Sequence, residues 1–238
     1  MKKNKIKVLG LIPTRLNSRR LPAKSLLPIN NIPLIIHVYR RTKLAKKIDD
    51  VAICCDDKKI FKEAKKYGAK AIMTSRHHVN GTERICEAYK KFKTNYDLVV
   101  DIQGDEPLIS PNHINKVVEF HLRNMSSDII LPNIKIPSSN NTNIVKVVSN
   151  KNDEVLYLSR SNIPHEFKLK SKIIKKHLSI ISFKPEALLK FSKSSKSDLE
   201  NIEDIELLRA LDIGLKIKTI SLKGDSFSVD VFEDYTKA

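Results

Sequence analysis

Tryptophan is absent from the 238-residue sequence, and aromatic residues make up only 6% of it. A stacking platform for single-stranded nucleic acid needs aromatic faces, so that class has little to build on. Glycine numbers 6, and none of Gly10, Gly68, Gly81, Gly104, Gly214 and Gly224 falls into a GxGxxG or GxxxxGK[ST] arrangement. A nucleotide would therefore bind without a dinucleotide fingerprint or a P-loop. Cys54, Cys55 and Cys86 are too few and wrongly spaced for a disulfide framework or a zinc site, and read as small buried thiols. No stretch approaches the roughly 18 apolar residues of a membrane span. The basic start, Met1 to Lys5, leads into a short apolar run that breaks at Pro13, which reads as a first strand and not a signal peptide. The expectation is a cytoplasmic protein with no membrane partner.

Positive charge is abundant, with a net +17. Such a balance raises nucleic-acid binding as a function. The lysines are spread over the whole chain instead of forming one stripe, and neither zinc-finger spacing nor an RNA-recognition signature is present, so nucleic acid is not the expected partner.

The hydrophobic pattern alternates strand and helix through the first 130 residues: strands at Val8–Ile12, Asp50–Cys55, Ala69–Met73, Leu98–Ile102 and Ile129–Leu131, helices at 33–45, 58–67, 82–92 and 112–124. That order predicts an α/β fold with an open, mostly parallel sheet, in which the strongly apolar Leu98–Ile102 is central. From Asn133 to Ser149 the chain turns polar. Val145–Val148, Val155–Leu158 and Ile173–Phe183 then read as strands of an antiparallel arm, followed by helices at 186–191 and 202–211 and a strand at Ile217–Leu222. No repeat or long linker divides the chain, so one domain spanning 1–238 is expected.

Four stretches carry candidate chemistry. Directly after the first strand come Arg15, Arg19, Arg20 and Lys24, between Pro13 and Pro22, which bar the loop from continuing as strand or helix. A cationic loop at a strand's carboxyl end suits a polyanion such as a nucleoside triphosphate, although any solvated basic loop reads the same way. Asp101-Ile102-Gln103-Gly104-Asp105-Glu106-Pro107 follows the most apolar strand; its carboxylates suit Mg²⁺, and an acidic turn suits it too. In Asn80-Gly81-Thr82-Glu83-Arg84, Thr82 is a candidate helix cap and Gly81 permits close approach of a ligand, as an ordinary helix start also would. Asp230, in Ser228-Val229-Asp230, is a second metal-ligand candidate or a helix cap.

In order, IPTRLNSRRLPAK, NGTER, DIQGDEP, LSRSNIP, LENIEDIELLRAL and SVD resemble the 3-deoxy-manno-octulosonate cytidylyltransferases, the CMP-Kdo synthetases, along nearly the whole chain. The resemblance implies a Rossmann-like three-layer nucleotide-diphospho-sugar transferase fold with a smaller antiparallel dimerisation arm. It also implies transfer of CMP from CTP to the C2 hydroxyl of the acid sugar, with release of pyrophosphate, Mg²⁺ as cofactor and a homodimer. On this pattern the nucleotide side comprises Pro13, Arg15, Ser18, Arg20, Lys24, Asn80, Gly81, Thr82, Arg84 and Gln103, with Arg15, Lys24 and Asp105 catalytic. Asp105 and Asp230 hold metal, and Gln103, Arg160, His177, Glu200 and Glu203 meet the sugar; about 134–183 forms the sugar-pocket and dimer region. Departures cluster on the sugar side. The usual His-Leu-Gly-Ile-Tyr is here His177-Leu178-Ser179-Ile180-Ile181, and Asp230 is not followed by Thr-Pro. Elsewhere Ala23-Lys24-Ser25 replaces Gly-Lys-Pro and His77 replaces an Asp. The alternatives are the same reaction on 8-amino-Kdo or a sialic-type acid, a nucleotidyltransferase for a sugar or polyol phosphate, and a non-catalytic basic protein on the same fold.

Overall fold

A computed structural model describes residues 5–18 and 20–238; Arg19 and the first four residues of the basic start lie outside the described residues. The chain opens with β1 (Val8–Thr14), a 3₁₀ turn at Lys24–Leu26, and the short hairpin β2 (Pro28–Ile29) and β3 (Ile32–Pro33). Helix α1 (Leu34–Lys43), β4 (Asp50–Cys55), α2 (Lys58–Lys66), β5 (Ala71–Met73), α3 (Gly81–Lys90), β6 (Leu98–Ile102) and α4 (Pro111–Arg123) complete the alternating half. There follow β7 (Ile129–Pro137), β8 (Lys146–Ser149), β9 (Val155–Ser159), β10 (Ile173–His177), β11 (Ile180–Phe183), α5 (Pro185–Lys193), α6 (Asp198–Glu203), α7 (Leu207–Asp212), β12 (Ile217–Leu222) and α8 (Phe232–Lys237).

One sheet runs β5-β4-β1-β6-β11-β7-β10-β8-β9, with β12 beside β7. The first four strands are mutually parallel, whereas β11, β10, β8 and β9 join antiparallel. Alternation along β1 shows why the sheet is covered on both faces. Val8 and Ile12 belong to one core with residues of α1, α2 and α4, while Leu9 and Leu11 belong to the other with residues of α3, α5 and α7. A strand buried on both sides has no polar face to offer, hence the apolar runs of β1, β4 and β6, interrupted within β6 by Asp101.

Several elements differ from the sequence reading. Pro13 does not end β1, which continues to Thr14: its missing N–H is tolerated because the strand is already at its carboxyl end. The strand expected at Ile129–Leu131 runs on for six more residues, to Pro137, into the polar stretch, because it leaves the sheet's buried middle and becomes one side of the arm. Ile173–Phe183 is two strands broken at Leu178-Ser179, β10 in the arm and β11 inserted between β6 and β7. The helix expected over 202–211 is two short ones, separated where Asp204 takes a left-handed φ of 51°.

Candidate active site

Strand order places β4 on one side of β1 and β6 on the other, so the connections diverge between β1 and β6. A crevice opens at the carboxyl ends of strands at such a point. Gly104 lets the two strand ends close up, since a Cβ there would meet the Pro13 carbonyl oxygen at 2.6 Å. The basic loop is held from both sides. Leu16 donates its N–H to Asp56 Oδ1 (3.0 Å), and the buried Leu21 anchors the far end. Ala23, left-handed at φ 51°, then turns Lys24 back toward β6.

That turn brings three motifs to one point. Lys24 Nζ lies 2.9 Å from Asp105 Oδ2 and 3.4 Å from Asp230 Oδ1, and Arg20 Nη2 lies 2.9 Å from the same Asp230 oxygen. Asp230 stands there because Val229 N–H donates to the Asp105 carbonyl (2.9 Å), stitching the end of the chain to the β6 loop. Among the described residues no three His, Cys, Asp or Glu side chains cluster as a metal site. Two carboxylates that converge on one cation nevertheless fit Mg²⁺, which takes one or two protein carboxylates and fills its remaining positions with water and phosphate oxygens.

Two clefts meet at this point. The larger, about 640 Å³, is lined by Pro13, Arg15, Ser18, Lys24, His78 and Arg84. The smaller, about 380 Å³, is lined by Arg160, Lys176, His177, Ser179, Ile181 and Glu206 among others. Arg20, Asn80, Gly81, Gln103, Asp105 and Asp230 border both.

Asn80, not Thr82, caps α3: its side chain accepts the Glu83 N–H (2.9 Å), and its Nδ2 is buried without a partner. Thr82 lies inside the helix and donates Oγ1 to Glu206 Oε1 (2.9 Å). Arg84 is buried at 3% exposure, donates to Thr74 Oγ1 (2.7 Å) and the Ser75 carbonyl (3.1 Å), and still borders the larger cleft. Gln103 Nε2 donates to Asp101 Oδ2 (3.0 Å) beside Gly81, where a Cβ would sit 3.2 Å from that same nitrogen.

On the other side, burial and then Lys176 lower the His177 imidazole to about 4, so it is neutral, and its Nδ1 has no partner. Glu200 borders the smaller cleft, yet both its oxygens are taken by Arg209 at 2.6 Å. Glu203 stands behind the wall, accepting from Ser159 Oγ (2.5 Å) and Arg160 N–H (2.9 Å). Arg160 faces the cleft but gives three of its N–H groups to backbone carbonyls. Of three further acids at the site, Asp101 and Glu106 stood among the carboxylates of the 101–107 turn without a role of their own, and Glu206 was not singled out. Burial, then Glu206, pushes Asp101 well up, and its Oδ1 has no partner. Burial, then Asp105, pushes Glu106 up to about 7. Burial also raises Glu206. A charged residue inside the apolar run of 205–211 was the one signal for Glu206.

A family model described as Cytidylyltransferase matches residues 9–217. A 3-deoxy-manno-octulosonate cytidylyltransferase of Fusobacterium nucleatum subsp. nucleatum is 39% identical over 234 residues, 96% of this chain and 94% of the relative. An 8-amino-3,8-dideoxy-manno-octulosonate cytidylyltransferase of Shewanella halifaxensis is 37% identical over 229 residues, covering 94% of each. Among solved structures, a CMP:2-keto-3-deoxy-manno-octonic acid synthetase complexed with CTP superposes with a TM-score of 0.91 at 30% identity, covering 97% of this chain and 96% of the other.

Proposed function

The chain belongs to the cytidylyltransferase family, and from that premise we propose that it transfers CMP from CTP to the C2 hydroxyl of 3-deoxy-manno-octulosonate, releasing pyrophosphate. The observation that carries this reading is the shared wall: one cleft lined by cations opens onto a second that has polar groups without partners, with Asp105, Asp230 and Gln103 between them.

In the larger cleft Arg15, Ser18, Arg20 and Lys24 grip the triphosphate, while Asn80 to Arg84 face the cytidine. The acid sugar takes the smaller cleft, where the neutral His177 and the free N–H groups of Arg160 meet its hydroxyls and carboxylate. Asp105 and Asp230 would hold Mg²⁺, which when bound neutralises phosphate charge and makes a sugar hydroxyl more acidic. In-line attack at the α-phosphorus forms the new P–O bond as the bond to pyrophosphate breaks. Lys24, on the triphosphate side of the wall, stabilises the charge that builds there. No nucleophilic side chain is required.

The second acceptor reading, the 8-amino sugar, is favoured by the 37% relative of that name. We place the reaction in the cytoplasm, where CTP is made; no helix among the described residues is long and apolar enough to cross a membrane. We also read the arm as a homodimer surface, because Leu156, Phe167, Leu169 and Ile173 are exposed along it. Pyrophosphate release with Mg²⁺ and CTP is to be measured against Kdo, 8-amino-Kdo and a sialic acid, with ATP, GTP and UTP as controls. Release with CTP and Kdo alone is expected; release only with another acid reassigns the acceptor, and silence throughout overturns the reading.

A further inference from the structure

Behind the smaller cleft lies a side chain that no motif singled out. Lys146, at the start of β8, is 1% exposed, an unusual place for an ammonium group. Its Nζ donates to the carbonyls of Asn141 (2.9 Å) and Arg160 (2.6 Å). Arg160 in turn donates Nη1 to the Thr142 carbonyl (3.2 Å), Nε to the Glu203 carbonyl (2.7 Å) and Nη2 to the Asp204 carbonyl (3.0 Å). The last two are end carbonyls of α6, which its own hydrogen bonds leave without donors. Glu203 closes the circuit on Ser159 and the Arg160 backbone. Three segments are joined in this way: the loop carrying Asn143 and Ile144, the end of β9, and the α6–α7 bend carrying Asp204, Ile205 and Glu206. All three supply lining to the smaller cleft, and the network touches nothing that lines the larger one except Asp204.

We infer that Lys146 is a positioning residue for the acceptor: with Glu203 it clamps the three segments into a single wall without itself facing the ligand. The inference rests on reading the smaller cleft as the acceptor's. A buried ammonium satisfied by carbonyls from two segments is costly to remove, because those carbonyls then lose their donor away from water.

The test pairs hydrogen–deuterium exchange of the free protein with steady-state kinetics, for Lys146→Met and Glu203→Gln. Exchange is expected to quicken together at 141–145, 159–161 and 203–207 in both variants. The acid sugar's KM is expected to rise about tenfold while that of CTP stays within about twofold, the equivalent of about one charge-assisted hydrogen bond. Quickened exchange confined to 141–146, or a parallel rise in both KM values, overturns the clamp. A raised acceptor KM for Glu203→Gln with unchanged exchange also overturns it, and makes Glu203 a direct sugar ligand. Should wild type release no pyrophosphate with any acid sugar, the acceptor reading fails, and the exchange pattern alone then decides the clamp.

Discussion

The two clefts share a wall but are built differently. The larger is made mainly at the ends of the parallel strands β1 and β6 and at the start of α3, so most of its lining falls in three short stretches, within 13–25, 78–84 and 103–105, to which Asp204 and Asp230 are added. Beyond the wall it shares with the larger, the smaller draws on the arm, the break between β10 and β11, the α6–α7 bend and the tail after β12, so most of its own lining is scattered in small pieces from 143 to 228. Its polar groups are also differently employed. Arg15 and Ser18 face the open cleft and Lys24 is paired with the two acids of the shared wall, whereas Glu200, Glu203 and Arg160 are tied to residues behind it. A cationic loop suited to a triphosphate is one contiguous stretch, which local sequence can specify. A sugar needs a shaped enclosure, and the shape comes from how distant segments are tied.

Replacing the residue on the shared wall should have the largest effect. Asp105→Asn is expected to lower kcat about a thousandfold with the melting temperature unchanged, since a metal-holding carboxylate carries several kcal/mol and each 1.36 kcal/mol is tenfold. Retained turnover would remove Asp105 from the chemistry. Next, Glu200→Ala should destabilise the fold by roughly 3 kcal/mol in urea unfolding, because it takes the bidentate partner from the buried Arg209 guanidinium and leaves it, among carboxylates, only the longer contact to Glu83. A raised acceptor KM at full stability would instead return Glu200 to the ligand, breaking the contrast drawn above. Lys24→Met should raise the CTP KM about ten- to a hundredfold, the loss of a charge-assisted contact worth roughly 1.5–3 kcal/mol, and leave the acceptor's KM nearly unmoved. An equal rise in both would merge the two clefts into one functional site.

The smallest effect is a pH dependence of the acceptor side. The folded protein holds His177 neutral down to about 4, while the unfolded chain takes up that proton below 6.5. Its contribution to stability is whole above pH 6.5 and is lost as pH falls toward 4. Glu106 works the other way: with its carboxyl at about 7 against 4.5 unfolded, its contribution declines as pH rises through that window. Comparing wild type with His177→Gln cancels Glu106. Wild type should lose about 2 kcal/mol relative to the variant between pH 7 and 5. A constant difference across that range would show that His177 is not held neutral.

Strands Asp50–Cys55, Leu98–Ile102 and Ile217–Leu222 stand at the residues their patterns marked: the first two are buried on both faces and read as apolar runs, interrupted inside Leu98–Ile102 only by Asp101, and the third has one face partly open and mixes polar with apolar residues. Helix ends were less legible. Thr82 looked like a cap, but Asn80 reaches the Glu83 N–H first, and Thr82 turns inward to an acid more than a hundred residues away. The single apolar run of Ile173–Phe183 gave no sign that Leu178-Ser179 divides it between arm and central sheet. Nor does any local signal mark Asp204, whose left-handed backbone divides the helix expected over 202–211.

Composition and order of residues alone determined the alternating parallel half, the cationic loop after the first strand and the acid-bearing turn after the fourth, because periodicity and turn chemistry act over a few residues. Tertiary structure decided which charges meet. Asp230 is brought to Asp105 by the Val229 N–H bonding the Asp105 carbonyl, across more than a hundred residues of chain. Lys146 leaves the solvent to bond the carbonyls of two segments, and Asp101 and Glu106 are buried beside the site. Burial and the identity of a partner are properties of packing between distant segments, and no window of sequence contains them.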